Sequence, residues 1–260
     1  MKVLCADVGG TNLNLSIADV SSKKPEIVKI ENYPTKNTAD FAGTINHFIE
    51  NSGYELKEAC FSIAGPINNE KDRQYASMTN ADILIDTKEL KEKTSLDRVL
   101  LINDFEAISY ATNILDEKDL HILNNGKPVG QTTRAVMGPG TGLGASILYY
   151  NKELDNHIPI PSEGGHTDFI PYNEQEQALA EFVKKEKNRE PVENEDLVSG
   201  PGLEIIYRFL NKDNKYPPGL TAMQISEQKN DNHCAKETYQ LFVKLLARCC
   251  KNFALQALCR

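Results

Sequence analysis

The chain has 260 residues, 40% hydrophobic and 25% charged, enough for one large or two modest globular domains with a buried core. Its 37 acidic residues outweigh 29 basic ones, for a formal net charge of -8, which argues against nucleic acid or an anionic membrane as the main partner, because phosphate-rich surfaces require concentrated Lys and Arg. An anionic small ligand stays open where backbone N–H groups do the binding.

The N-terminus meets Asp7 after a short apolar run, and no window offers the ~20 apolar residues of a membrane span, so a cytoplasmic protein is expected. The six cysteines, Cys5, Cys60, Cys234, Cys249, Cys250 and Cys259, include no C-x-x-C pair and read as small hydrophobes of a reducing compartment. A metal site from His233, Cys234, Cys249 and Cys250 fits no usual zinc spacing.

Residues 3–6 predict a buried strand that ends in Asp7-Val8-Gly9-Gly10-Thr11-Asn12, after which Leu13, Leu15 and Ile17 alternate as a second strand of a hairpin. Gly9 and Gly10 let the backbone turn tightly and bring N–H groups to phosphate oxygens, with Thr11 and Asn12 adding side-chain donors. Asp7 is placed to hold a hydrated Mg²⁺ beside those phosphates. A plain glycine hairpin turn is the simpler alternative.

A third strand over 25–33 follows, then a helix with Thr38 as its cap and Phe41, Ala42, Ile45, Phe48 and Ile49 on one face. Residues 59–64 read as a strand, 74–80 and 83–85 as short strands, and 86–93 as a charged surface helix. Thr79-Asn80 lies in a polar break and is either a turn or a ligand contact.

The four apolar residues Val99 to Ile102 suit a strand buried on both faces, stopping at Asn103-Asp104 before a helix begins at Phe105. A carboxylate therefore stands at a strand's carboxyl end, where open α/β sheets place ligands. Asp104 either caps that helix or serves a ligand.

Residues 133–137 lead into Gly138-Pro139-Gly140-Thr141-Gly142-Leu143-Gly144, and a second strand follows over 145–150. Two strand–glycine-loop–strand units, each with a Thr, are suited to clasping the two ends of a polyphosphate. No G-K-[ST] follows, so this is no Walker loop, and the loop leads to a strand, so it is no Rossmann fingerprint.

Residues 159–171 (PIPSEGGHTDFIP) set Glu163, His166 and Asp168 around two glycines in a segment too broken for a long helix. Carboxylates accept from several hydroxyls and an imidazole can donate back, as a polyhydroxylated ligand requires, although an exposed polar turn would look the same. The remainder reads as helical. A helix carries Leu179, Phe182 and Val183, and an acidic break covers 190–196. Ser199 caps a helix with Ile205, Ile206, Phe209 and Leu210, a short helix covers 221–228, and a long one covers 236–258 with Tyr239, Phe242, Val243, Leu246, Cys250, Phe253, Ala254 and Leu258 as its core stripe.

Together these pieces suggest phosphoryl transfer from a nucleotide to an alcohol, with Asp104 as the carboxylate that accepts the hydroxyl proton. At this point the chain resembles the bacterial glucokinases of the hexokinase/actin-like ATPase superfamily. The resemblance rests on DVGGTN at 7–12, INDFEA at 102–107, GPGTGLG at 138–144, EGGHTDF at 163–169 and LVSGPGL at 197–203, in the family's order.

It implies an RNase H-like (actin-like ATPase) α/β fold of two domains with mixed sheets and a helical C-terminal part. A small domain over 1–110 would carry the first phosphate loop and the catalytic Asp, and a larger one over 111–260 the second loop, the sugar loop and helices, with ATP and Mg²⁺ in the cleft between them. It further implies that glucose is phosphorylated at its 6-hydroxyl with Asp104 as general base. Asn103, Glu163, His166 and Glu195 would hold the other hydroxyls. Gly9, Gly10, Thr11, Asn12, Gly138, Gly140, Thr141 and Gly142 would hold the phosphates. Homodimers are common among such relatives.

Members of that family continue beyond the helix corresponding to 236–258 into a strand, an adenosine loop and a final helix. The expectation is therefore either an incomplete glucokinase or a sugar-binding chain with a weakened nucleotide site; a kinase of another hexose, such as mannose or N-acetylglucosamine, is the third reading.

Overall fold

The computed structural model describes residues 1–259 apart from 23, 39, 79–82 and 128, so the turn or ligand contact read at Thr79-Asn80 lies outside the described residues. Two compact units are present, Met1–Ile122 and Leu123–Arg260.

In the first unit, alternating apolar residues of β1 (Lys2–Val8) and β2 (Asn12–Asp19) form a hairpin whose register runs from Lys2 opposite Asp19 to Val8 opposite Leu13. β3 (Glu26–Pro34) adds to β2 antiparallel. α1 (Phe41–Glu50) then crosses to β4 (Glu58–Ile63), which lies parallel to β1. Leu4, Ala6 and Val8 of β1 and Leu13, Leu15 and Ile17 of β2 bury one face of the sheet in a core shared with Phe41, Ile45 and Phe48 of α1. Phe41 meets Phe61 edge-to-face at 5.8 Å, the arrangement ring quadrupoles favour.

Asp40, not Thr38, caps α1: its Oδ1 accepts from the Gly43 N–H at 2.9 Å. The Thr38 hydroxyl instead donates to the Thr35 carbonyl at 2.7 Å and closes the preceding turn. β5 (Asn68–Asn69), β6 (Gln74–Met78) and β7 (Ile83–Asp86) form a small antiparallel sheet. Asp86 caps α2 (Thr87–Lys93) by accepting from the Lys88 and Glu89 N–H groups.

β8 (Arg98–Asn103) pairs parallel with β4, giving the sheet order β3-β2-β1-β4-β8, and leads directly into α3 (Asp104–Ala111). The expectation that this strand is buried on both faces is not met. β8 is the sheet's edge strand, with Leu101 2% exposed and Leu100 51% exposed, because this unit's core packs only one face there. The parallel register matters more for function: Val8, Ile63 and Asn103 stand side by side, so the first glycine turn, Gly65 and Asn103-Asp104 all emerge at the carboxyl end of one sheet.

The second unit contains an antiparallel sheet of β9 (Arg134–Pro139), β10 (Leu143–Asn151) and β11 (Asn156–Ser162). β11 covers the start of the 159–171 segment, which holds no long helix, as expected. Pro159 and Pro161 are tolerated in it because β11 is an edge strand, where a missing N–H need not break the ladder. The helices are α4 (Glu174–Lys187), α5 (Gly200–Leu210), α6 (Ala222–Gln228) and α7 (His233–Gln256). Ser199 caps α5 as expected, accepting from the Gly202 N–H at 3.0 Å.

The stripe expected on the long helix holds at Phe242 and Phe253, which are buried, and at Tyr239 and Leu246, which pack against the core, but not at Val243, Cys250 and Leu258. α7 starts earlier, capped by Asn232, and buries Cys234, Ala235, Thr238, Leu241, Phe242, Leu245, Cys249 and Phe253, while Val243 and Leu258 are 47% and 67% exposed. Small side chains at Ala235, Thr238 and Cys249 face the core. Cys234 and Cys249 are buried in that core beside Tyr207 and Leu245, and among the described residues no group of three or more His, Cys, Asp or Glu is arranged to hold a metal. Among those residues no helix is long and apolar enough to cross a membrane.

Candidate active site

At the carboxyl end of the first unit's sheet, the β1–β2 turn is tightened by the Gly9 N–H donating to the Asn12 carbonyl at 2.9 Å. A Cβ on Gly9 would stand 3.3 Å from that same oxygen. The turn is braced by Thr35: its hydroxyl donates to the Gly9 carbonyl at 2.9 Å and its N–H to the Thr11 carbonyl at 3.0 Å. With its carbonyls held there, Gly10, Thr11 and Asn12 are exposed at the tip. Asp7 precedes the turn, and its Oδ2 accepts from the Asn14 amide at 3.2 Å.

Asn103 and Asp104 divide the work that the sequence left open for Asp104 alone. Asn103 is the cap of α3, its Oδ1 accepting from the Phe105 and Glu106 N–H groups at 2.9 and 3.3 Å. Its amide nitrogen donates to the Gly65 carbonyl at 3.4 Å. Asp104 is the first helical residue and does not cap. It is half-buried, with Oδ1 accepting from the Phe105 N–H at 2.8 Å. Burial raises the Asp104 pKa above its ordinary value and the nearby Asp7 carboxylate adds to the rise, against the opposing Phe105 N–H. A half-buried carboxylate with a raised pKa is what proton abstraction at neutral pH requires.

In the second unit, the β9–β10 turn is held at three points. The Gly140 N–H donates to the Gly142 carbonyl at 2.7 Å, the Gly200 N–H at the start of α5 donates to the Gly140 carbonyl at 2.8 Å, and the Leu143 N–H donates to Glu195 Oε2 at 2.8 Å. A Cβ on Gly142 would lie 2.4 Å from Glu195 Oε2, so glycine here is the condition for Glu195 to reach the loop. Thr141 is exposed at the tip and Gly138 and Gly144 oppose one another in the ladder.

Glu163, His166 and Glu195 are brought together in this same unit. A single 3-10 turn, Gly164–His166, follows Glu163. It seats against β10 so closely that a Cβ on Gly165 would be 2.1 Å from the Leu143 carbonyl oxygen. His166 Nδ1 lies 2.8 Å from Glu193 Oε2, and its Nε2 lies 3.8 Å from Glu163 Oε2. Asn194 ties the segments through its amide, which donates to the Thr167 carbonyl and hydroxyl at 3.1 and 3.0 Å. Asp168 is used through its backbone, bridged to Glu193, and not as part of the Glu163–His166 group.

Sequence reasoning missed Glu193. It sits in the acidic stretch 190–196, where four carboxylates look alike, and only the fold shows which of them faces the imidazole.

A family model described as Glucokinase matches residues 4–260. The chain belongs to the glucokinase family. Glucokinase of Nostoc punctiforme is 31% identical over 283 residues, covering 98% of this chain and 81% of that protein. The crystal structure of a glucokinase from an Antarctic psychrotroph superposes with a TM-score of 0.81 at 27% identity, covering 98% of this chain and 79% of that one. A more distant glucokinase of the ROK family from Streptomyces griseus, in complex with glucose and AMPPNP, shares the fold with a TM-score of 0.62 at 15% identity, covering 99% and 80%. The family's sugar kinases have the actin-like ATPase fold, and the β3-β2-β1-β4-β8 sheet of the first unit accords with it.

Proposed function

We propose that the chain transfers the γ-phosphoryl group of ATP to the 6-hydroxyl of glucose, giving glucose 6-phosphate and ADP. The observation that carries this reading is the half-buried Asp104 at a strand's carboxyl end, its pKa raised, beside the Asp7 glycine turn, in a chain of the glucokinase family. The solved relative holding glucose and AMPPNP supports the same substrate pair.

Asp104 accepts the 6-hydroxyl proton as that oxygen forms its bond to the γ-phosphorus. The bond from that phosphorus to the β,γ-bridging oxygen breaks, and ADP leaves with the electron pair. The backbone N–H groups of the turns at Gly9, Gly10, Thr11 and Asn12 and at Gly138, Gly140, Thr141 and Gly142 are the donors for phosphate oxygens. Asn103 uses its Oδ1 on α3 and one amide hydrogen on the Gly65 carbonyl, leaving its other amide hydrogen for a sugar oxygen, while Glu163, His166 and Glu195 supply acceptors and a ring N–H for the remaining hydroxyls.

Asp7 fits a hydrated Mg²⁺. It offers a hard carboxylate at an exposed position, its Oδ1 has no hydrogen bond among the described residues while Oδ2 meets Asn14, and such an ion needs only one or two carboxylates beside substrate phosphates. When bound, Mg²⁺ supplies neutralisation of the charge on the transferring phosphates. Glucose, ATP and unpaired thiols all suit a cytoplasmic enzyme.

Comparison of kcat/KM for glucose, mannose and N-acetylglucosamine tests the substrate. Glucose is expected to lead, since sites built on hydroxyl contacts discriminate strongly; a higher value for either other sugar overturns the assignment.

Gly142→Ala gives a second check. The added methyl drives Glu195 Oε2 away from 2.4 Å and costs the Leu143 hydrogen bond. Loss of one charge-assisted contact at the sugar predicts about a tenfold rise in the KM for glucose. An unchanged KM would separate Glu195 from the sugar.

A further inference from the structure

His166 and Glu193 form a pair that the family motifs do not include. Glu193 is held from several sides. Its Oε1 accepts from Arg189 Nη1 at 3.2 Å, its N–H donates to Asp196 Oδ2 at 2.9 Å, and its backbone is bridged to Asp168. Arg189 is itself fixed, its Nη2 lying 2.6 and 2.7 Å from the two oxygens of Asp196, which also pairs with Lys187. The remaining oxygen of Glu193, Oε2, points at His166 Nδ1 from 2.8 Å.

We infer that Glu193 is a positioning residue for His166, fixing a proton on Nδ1 and presenting Nε2 to the substrate. The inference rests on the reading of His166 as a glucose contact. A carboxylate only accepts, so Nδ1 must be the donor in that contact, and the orientation of the ring follows from it, as it does where a carboxylate orients a metal-bound or catalytic histidine.

The groups facing the ring favour a second proton on Nε2. Glu163 lies 3.8 Å from Nε2 on the same loop, while Glu193 and Glu195 face it from the 190–196 segment. The nearby cations, Arg189 and Lys187, are engaged by Glu193 and Asp196. The hydrogen bond to Glu193 raises the His166 pKa, burial opposes the rise, and the charges of Glu195, Glu193 and Glu163 add to it. Nε2–H then serves as a charged donor to a hydroxyl oxygen. Since the folded pKa is raised, this donor is present below it and is lost as pH rises through it.

The test is Glu193→Gln in the full chain, which keeps the side chain's length and an oxygen for Nδ1–H but removes the charge. Two readouts are followed across pH: the titration midpoint of His166 by NMR, assigned with His166→Gln, and the KM for glucose. The midpoint is expected to move to lower pH. The KM is expected to rise about tenfold above neutrality and to return toward wild type in acid, with kcat little changed, as loss of one charged hydrogen bond predicts. Glu193→Asp, which restores the charge, is expected to return the midpoint upward.

A purely structural staple in the loop would raise KM equally at every pH with the midpoint unmoved, and that result overturns the inference. A midpoint that falls while the KM stays at wild type throughout also overturns the link from Glu193 to substrate. In that case the His–Glu pair stands and it is the placement of His166 at glucose that fails. If Glu193→Gln does not fold, the same pair of curves is read from Arg189→Gln, which removes the cation holding Glu193. In that variant an unchanged KM profile and midpoint overturn the inference.

Discussion

Asp104→Asn is expected to lower kcat for glucose phosphorylation by about 10²- to 10⁴-fold, the range that general-base catalysis contributes, while leaving the KM for glucose within a few-fold of wild type. The amide has nearly the volume of the carboxylate and keeps an oxygen for the Phe105 N–H, which Asp104 accepts at 2.8 Å, and it loses the negative charge and with it the capacity to take a proton. The fold is not at risk, because Asn103 and not Asp104 caps α3. Asn103→Ala marks the contrast: loss of a cap costs about 1 kcal/mol of stability, in addition to the sugar contact proposed for it. Measured by steady-state kinetics and thermal unfolding, the two neighbours should separate into a variant that folds and does not turn over and one that is less stable. Because burial and Asp7 raise the Asp104 pKa, the acid limb of kcat/KM should lie at higher pH than an ordinary aspartate would give. Asp7→Asn, by removing the charge that adds to the rise, should move that limb to lower pH.

Glu176→Ala is expected to destabilise the second unit by about 3–5 kcal/mol, the cost of breaking a buried charged network by removing one partner. Glu176 is fully buried at the start of α4. It accepts from Arg248 at 2.7 Å and from Lys244 at 3.0 Å, both on α7, and from the Tyr172 N–H at 2.8 Å. Arg248 in turn stacks on Tyr172 and Phe169, with its guanidinium 4.2 and 5.3 Å from the ring centroids, so the network fixes the segment that follows the Glu163–His166 loop. Burial works against ionisation of Glu176, but the hydrogen bonds from Arg248, Tyr172 and Lys244 prevail and hold its pKa at about 2, below the ordinary 4.5. A depressed folded pKa means that this stabilisation is full above about pH 4.5 and is lost as pH falls from there toward 2. Chemical denaturation of wild type and Glu176→Ala should therefore give a difference that is large at neutral pH and shrinks in acid. A constant difference would contradict the ionised network.

The order of strands and helices was legible because each carries a local period: alternation in β1 and β2, a helical face in α1 and α5, and Ser199 immediately before the glycine-proline start of α5. The carboxyl end of β8 was legible for the same reason, since an apolar run that stops at Asn103-Asp104 marks a strand's end without reference to anything distant. What failed depended on partners far along the chain. The four apolar residues of β8 could not show that β8 is an edge strand with Leu100 half exposed, because neighbour order is a property of the sheet.

On α7 two stripes compete at helical spacing, and the larger side chain of Val243 outweighed the small ones at Ala235 and Thr238 that face the core, while Leu258 lies beyond the helix end. Glu176 reads as one more solvated residue of EQEQALAEF until Arg248, 72 residues later, is placed on it. Capping was assigned to Thr38 where Asp40 does it, and of the two readings open for Asp104 the capping one belongs to its neighbour Asn103, since either residue type can cap and the choice turns on where the first helical N–H points. The acidic stretch 190–196 yielded Glu195 through the SGPG motif next to it and concealed Glu193, whose role exists only through the fold that brings His166 to it.

A coupled assay of ADP release with glucose, ATP and Mg²⁺ tests most directly whether this chain is a glucose kinase with Asp104 as its base. The 260-residue chain should release ADP only when glucose is present, with one glucose 6-phosphate formed per ADP, and Asp104→Asn should reduce that rate at least about a hundredfold. Glucose binding without ADP release, or an Asp104→Asn protein as active as wild type, would contradict it.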